Sequence, residues 1–157
     1  MARHERGAAP VATLEALPGL EAWTVCALRL WADGQEGRAA LVEDSARRMG
    51  DAAGERIAGL FGELAEMVLG HARRPLLRHS NACSCVGADE AVFAHFLAAA
   101  TQGEREDALM IACLIMRSDV APLAVSLAQT VGLALLRAAA PDPSAAASFA
   151  PAPGRLH

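Results

Sequence analysis

Apolar residues along this chain recur at intervals of three and four, the spacing that gathers side chains on one face of an α-helix. Leu20, Trp23, Ala27 and Leu30 or Trp31 mark a first helix, with Pro18 suited to its first turn and Asp33-Gly34 to its end. A short helix follows over residues 38–49 and stops at Gly50. Asp51 can cap a longer one, whose stripe is Ile57, Leu60, Phe61, Leu64, Met67 and Val68. That helix is expected to run to Arg74-Pro75, because proline disfavours the α conformation in the residue before it. After an irregular stretch, Asp89 and Glu90 open a fourth helix with Val92, Phe93, Phe96 and Leu97 as its face, broken at Gly103. The next helix is apolar on all sides over 108–116, which predicts the buried centre of a bundle. Ser118 or Asp119 caps the last helix, with Pro122 in its first turn and Leu123, Leu127, Val131 and Leu135 as its stripe. No run of alternating β-branched residues argues for a sheet. The expected fold is all-α: a compact bundle of five to six helices with an irregular Cys/His loop between the third and fourth.

The two ends read differently. Residues 1–10 are polar and small, and residues 139–157 set Pro141, Pro143, Pro151 and Pro153 among alanine and serine. Neither composition buries enough apolar surface to offset its ordering entropy. Both are therefore expected to be flexible, leaving 11–138 as a single helical domain. The apolar stretch 120–136 falls short of the ~20 residues of a typical membrane span and contains Pro122, Ser126, Gln129, Thr130 and Gly132. It is read as a buried core or dimer-interface helix, not as a membrane span. So much all-round apolar surface on a small bundle also points to self-association, most simply a homodimer, or to a protein partner.

Composition narrows the chemistry. The chain has 157 residues, 54% hydrophobic and 20% charged, which fits one domain and is too apolar for disorder. All 14 cationic side chains are arginine. Without lysine there is neither a Walker-type phosphate loop nor a Schiff-base amine. With 37 alanines beside that arginine bias, the pattern reads as GC-rich coding, and the net charge of −4 argues against nucleic-acid binding. The first residues carry the charges of a signal-peptide n-region with no apolar segment behind them, so a cytoplasmic setting with reduced thiols is expected. Four cysteines are then free thiols or metal ligands before they are two disulfides.

One constellation carries chemistry. Residues 71–90 hold His71, His79, Cys83 and Cys85, the last three spaced His-x3-Cys-x-Cys in a loop that Ser80, Asn81 and Gly87 allow to turn. Thiolate sulfur and imidazole nitrogen are the donors that zinc takes in a tetrahedral set of four. His71 continues the stripe 60, 64, 67 and 68, so its ring needs a partner. It is either a core histidine bonded to a backbone carbonyl or the fourth ligand. Cys26 and Cys113 lie within apolar helical stretches and read as small core residues, and His95 as a flanking or surface residue. Arg73, Arg74 and Arg78 read as a solvated basic patch beside the loop.

Over residues 71–85 this stretch resembles the motif of zinc-binding anti-sigma factors, small helical bundles with His-x3-Cys-x2-Cys and a further upstream histidine. The cysteine spacing here is one residue shorter and His71 lies closer than in that family, so the resemblance carries no function with it. The same cysteines precede a helix N-terminus, which stabilises thiolates, so a thiol-redox pair is a second reading. An iron–sulfur site would have to recruit Cys26, Cys113 or a histidine. Templates for di-iron, metalloprotease, serine-hydrolase and dinucleotide-binding sites are absent from the sequence. The leading expectation is a small cytoplasmic zinc-binding helical protein with an interaction or regulatory role and no catalytic residues, ligated by His71, His79, Cys83 and Cys85. The alternatives are a thiol-redox or iron–sulfur protein and a metal-free helical interaction module.

Overall fold

The computed structural model describes residues 5–140, and the flexibility expected of residues 1–4 and 141–157 lies outside them. Among the described residues six α-helices run in order: α1 Gly19–Ala32, α2 Gly34–Met49, α3 Asp51–Gly70, α4 Ala88–Gln102, α5 Arg105–Ile115 and α6 Ala121–Ala139. The loop between α3 and α4 is where the sequence places it. The helices meet as sequential hairpins, α1 on α2, α2 on α3 and α4 on α5, and α4 and α6 then join these into one bundle. Trp23, Phe61 and Phe93 link α1, α3 and α4 edge to face, with ring centroids 5.3 and 6.1 Å apart, and Phe96 continues the series at 6.3 Å with its ring tilted. Glycines at 34, 50 and 103 take positive φ at the breaks between helices.

The centre of the bundle is α4. Phe93, Phe96, Leu97 and the run Ala98, Ala99 and Ala100 are buried, and the helix packs on α1, α5 and α6. This corrects the expectation for α5, which turns Ala108, Ala112 and Ile115 inward while Met110 and Leu114 stand 68% and 73% exposed. The expected stripe of α6 holds at Val131 and Leu135, both buried, and fails at Leu123. Ala121, Ala124, Ala128 and Val131 face inward, and Leu123 is 64% exposed. The cause is close helix approach. Gly132 lies against Thr101 of α4, where an added Cβ would fall 1.7 Å from the threonine hydroxyl. Small residues let α4 and α6 come that near, and leucines between them would hold the helices apart. By length and composition α6 is apolar enough to cross a membrane, a property that core helices of soluble proteins share.

Two further departures shape the loop. The third helix stops at Gly70, short of Arg74-Pro75, because the chain leaves it to pair with the end of α5. Ala72 bridges Met116, Arg73 N–H donates to Ile115 O at 3.0 Å and Arg117 N–H donates to His71 O at 3.0 Å. The N-terminal stretch is also more structured than its composition suggests. Glu5–Ala8 form a single 3-10 turn, and Pro10–Thr13 form strand β1 antiparallel to β2, Cys85–Gly87, with Pro10 opposite Gly87 and Thr13 opposite Cys85. What the short polar segment cannot bury by itself it gains from a partner 70 or more residues away. Val86 of β2 is buried in a second, smaller cluster with Val25 and Ala94, covered by Ala12, Leu14 and Leu17.

Candidate functional site

The first turn of α4 organises the loop. Asp89 and Glu90 occupy it, where the helix dipole favours acids, and both are buried. Asp89 takes a two-pronged contact from Arg74, 2.8 and 2.7 Å, and accepts from Leu77 N–H at 2.8 Å, fixing the start of the loop. Gly7 packs on that carboxylate so closely that any side chain there would collide with it. Arg74 is thus a structural partner, not part of a free basic patch. Arg73 is likewise engaged, donating to the carbonyls of Cys113 and Met116 at the end of α5.

Glu90 fixes the other end. One of its oxygens accepts from Arg29 Nε at 2.7 Å and His79 N–H at 3.0 Å, the other from Arg29 Nη2 at 2.8 Å and Gly87 N–H at 2.9 Å. Arg29, on α1, spends its remaining donors on loop carbonyls: Ser80 at 3.2 Å, Cys83 at 2.7 Å and Cys85 at 2.6 Å. Every N–H of the guanidinium and both carboxylate oxygens are used, at 2% and 0% side-chain exposure. Burial pushes the Glu90 carboxyl up, but the hydrogen bonds from Arg29, Gly87 and His79 outweigh it and hold the group below the usual carboxylate range.

The side chains on this clamped loop are His79, Cys83 and Cys85. The ring of His79 lies against Gly87, whose missing side chain leaves room for it. Its Nε2 sits 2.9 Å from Ala8 O. A carbonyl only accepts, so Nε2 carries the proton, and in the neutral ring Nδ1 presents its lone pair. That nitrogen faces Cys83 Sγ at 3.8 Å. Hydrogen bonding to Cys83, two residues before it, holds the Cys85 thiol above its ordinary value. The tip of the loop is tied to the α1–α2 corner by Asn81 bonding Asp33 and by Arg78 donating to Ala32 O at 3.3 Å.

The structure therefore brings three of the four expected ligands onto one loop and leaves the fourth elsewhere. His71 ends α3, its Nδ1 bonded to Met67 O at 2.8 Å, beside the α5–α6 turn. This is the backbone-bonded arrangement weighed for it above. Cys26 is exposed on α1, where a core position was expected, and Cys113 is partly buried on α5. His95 is exposed, 3.7 Å from Glu21. Among the described residues no group of three or more His, Cys, Asp or Glu side chains is drawn together in an arrangement ready to hold a metal ion.

Arg29, Glu90 and the Ala8 carbonyl are the parts that sequence reasoning missed. A signal existed for the first: Arg29 is the one charge inside the apolar run 22–32. Comparison of the chain with protein families, curated proteins and solved structures gave no match. What the fold and the site define is an all-α bundle bearing a Cys/His loop clamped from within by a buried ion pair.

Proposed function

We propose that the protein is a small metal-binding helical module in which His79 Nδ1 and the thiolates of Cys83 and Cys85 hold one thiophilic divalent ion, zinc first. The carrying observation is the His79 ring. Its proton is committed to Ala8 O and its free lone pair is aimed at Cys83 Sγ from 3.8 Å. Metal-bound histidines commonly carry such an outer N–H to a carbonyl, which fixes the tautomer. With zinc–sulfur and zinc–nitrogen bonds of about 2.3 and 2.0–2.1 Å, a tetrahedral ion sets its nitrogen and sulfur ligands ~3.6 Å apart. Cys85, two residues beyond Cys83, completes three protein donors by turning its side chain. The fourth position falls to water or to a group from a partner, and an interaction or regulatory role follows from that open position.

Protein purified without added metal should contain about one zinc per chain, and replacing Cys83 and Cys85 together by serine should remove it. Metal-free wild-type protein that fails to bind zinc on titration, or zinc retained at full stoichiometry in the double variant, would overturn the reading. A second reading is favoured by the Cys-x-Cys spacing of the two thiols. They can join as a disulfide, losing two protons and passing two electrons to an oxidant such as peroxide or a disulfide. That reading expects two fewer titratable thiols after mild oxidation, restored by dithiothreitol, with no dependence on metal.

A further inference from the structure

We infer that Arg29 and Glu90 are the positioning residues of the His79/Cys83/Cys85 loop, and that their pairing sets its affinity for a metal ion. The inference rests on the loop being the functional site. Stability alone gives the pair little reason to exist. Buried ion pairs lose in desolvation much of what they gain in attraction, and apolar pairs of similar size often do as well or better. The destinations of the hydrogen bonds supply the reason. Apart from the pair's own two bonds, the partners of Arg29 and Glu90 are backbone groups of one short stretch: the carbonyls of Ser80, Cys83 and Cys85 and the N–H groups of His79 and Gly87.

Other ties reach its ends and tip, residues 85–87 to β1, the His79 ring to Ala8 O and Asn81 to Asp33, and the backbone between them makes two further bonds. Cys83 N–H closes a turn on Ser80 O at 3.0 Å, and Ser84 O accepts from Leu14 N–H at 2.8 Å. The carbonyls of Cys83 and Cys85 turn toward Arg29 while that of Ser84 turns to Leu14, the alternation of extended chain. Residues two apart in extended chain project their side chains to the same face. The guanidinium thus holds both cysteines on one side, and Glu90 holds His79 at its backbone beside them. Arginine suits this role because its five donors lie in a fixed plane, and lysine offers three on a flexible stem.

The test uses full-length protein, zinc affinity by chelator competition, and the absorption of the cobalt complex, whose sulfur-to-metal charge transfer reports ligation by the cysteines. In Arg29→Met with Glu90→Met together, the apolar pair should keep the helical signal while zinc affinity falls about 10–100-fold, the range for loss of outer-shell partners. The cobalt band should weaken in parallel, and Arg29→Lys should lie between. A folded double variant with wild-type zinc affinity and cobalt spectrum would overturn the inference. Should the double variant not fold, Glu90→Gln replaces it, and unchanged affinity together with unchanged amide exchange over residues 79–87 overturns it equally. Should wild-type protein bind neither ion, the metal reading fails by itself. The clamp is then judged by the relative alkylation of Cys83 and Cys85 by iodoacetamide, located by mass spectrometry. A ratio that shifts severalfold in the Glu90→Gln variant supports positioning, and an unchanged ratio overturns it.

Discussion

The loop end of the bundle and its α5–α6 face solve opposite problems. At the loop end, charged side chains are driven inside and each is met: Glu90 by Arg29 and two N–H groups, Asp89 by Arg74 and Leu77. On the α5–α6 face large apolar side chains stand outside, Met110, Leu114 and Leu123 among them, while alanine and glycine fill the interior. At these two places polarity is a poor guide to burial. What goes inside is decided at one end by hydrogen-bond partners and at the other by how closely two helices must approach.

The largest expected effect breaks the loop end. Glu90→Ala strips the partner from a buried guanidinium and leaves the His79 and Gly87 N–H groups unpaired, which should cost about 3–5 kcal/mol. Urea unfolding measures the loss, and a change within about 0.5 kcal/mol would mean that the guanidinium is satisfied without Glu90. Next, the interior and the α5 face can be set against each other with one chemistry. Leu64→Ala removes a fully buried side chain and should cost about 2–5 kcal/mol, cavity included. Leu114→Ala, at 73% exposure, should stay within about 0.5 kcal/mol.

Acid should separate the two regions without mutation. Glu90 titrates below a free carboxyl in the folded protein, so its contribution is complete at neutral pH. As pH falls through the folded value, below the ordinary carboxyl range, that contribution is lost. Amide protection over residues 79–87 should fade there before that of α3 and α6, and simultaneous loss would make the bundle, not the clamp, the acid-sensitive part. The smallest effect concerns Ser45, in the α2–α3 contact, whose hydroxyl is the one buried side-chain N or O atom among the described residues without a hydrogen-bond partner. Ser45→Ala should be neutral or stabilise by up to about 1 kcal/mol, read as a small rise in melting temperature.

How much of this the sequence discloses depends on the range over which each cause acts. Helix starts and stops are local, and the breaks at Asp33-Gly34, Gly50 and Gly103 are legible from residue types alone. The end of α3 is not, because Pro75 offers a plausible stop while the actual one depends on Ala72 meeting Met116. Leucine contrast misses the one-sided burial of α5 and misplaces the start of α6 at Leu123, since alanine is so common that its inward stripe there does not stand out. In the site, the spacing of His79, Cys83 and Cys85 is local and readable. Their supports are not: Arg29 and Glu90 lie 61 residues apart, and Ala8 and His79 lie 71 apart. Strand β1 escapes notice for the same reason, its partner being supplied by residues 85–87.

Those separations also order events in time. The α1–α2, α2–α3 and α4–α5 hairpins close over short stretches of chain, and local contacts form fastest. The Arg29–Glu90 pair must wait for closure of a far longer segment. In a chain emerging from the ribosome, α1 to α3 are complete while Arg29 has no carboxylate to meet. Its charge then keeps that flank of α1 hydrated until the first turn of α4 arrives. The clamp is therefore a late checkpoint of folding, and the loop acquires its shape only when the two halves of the chain have found each other.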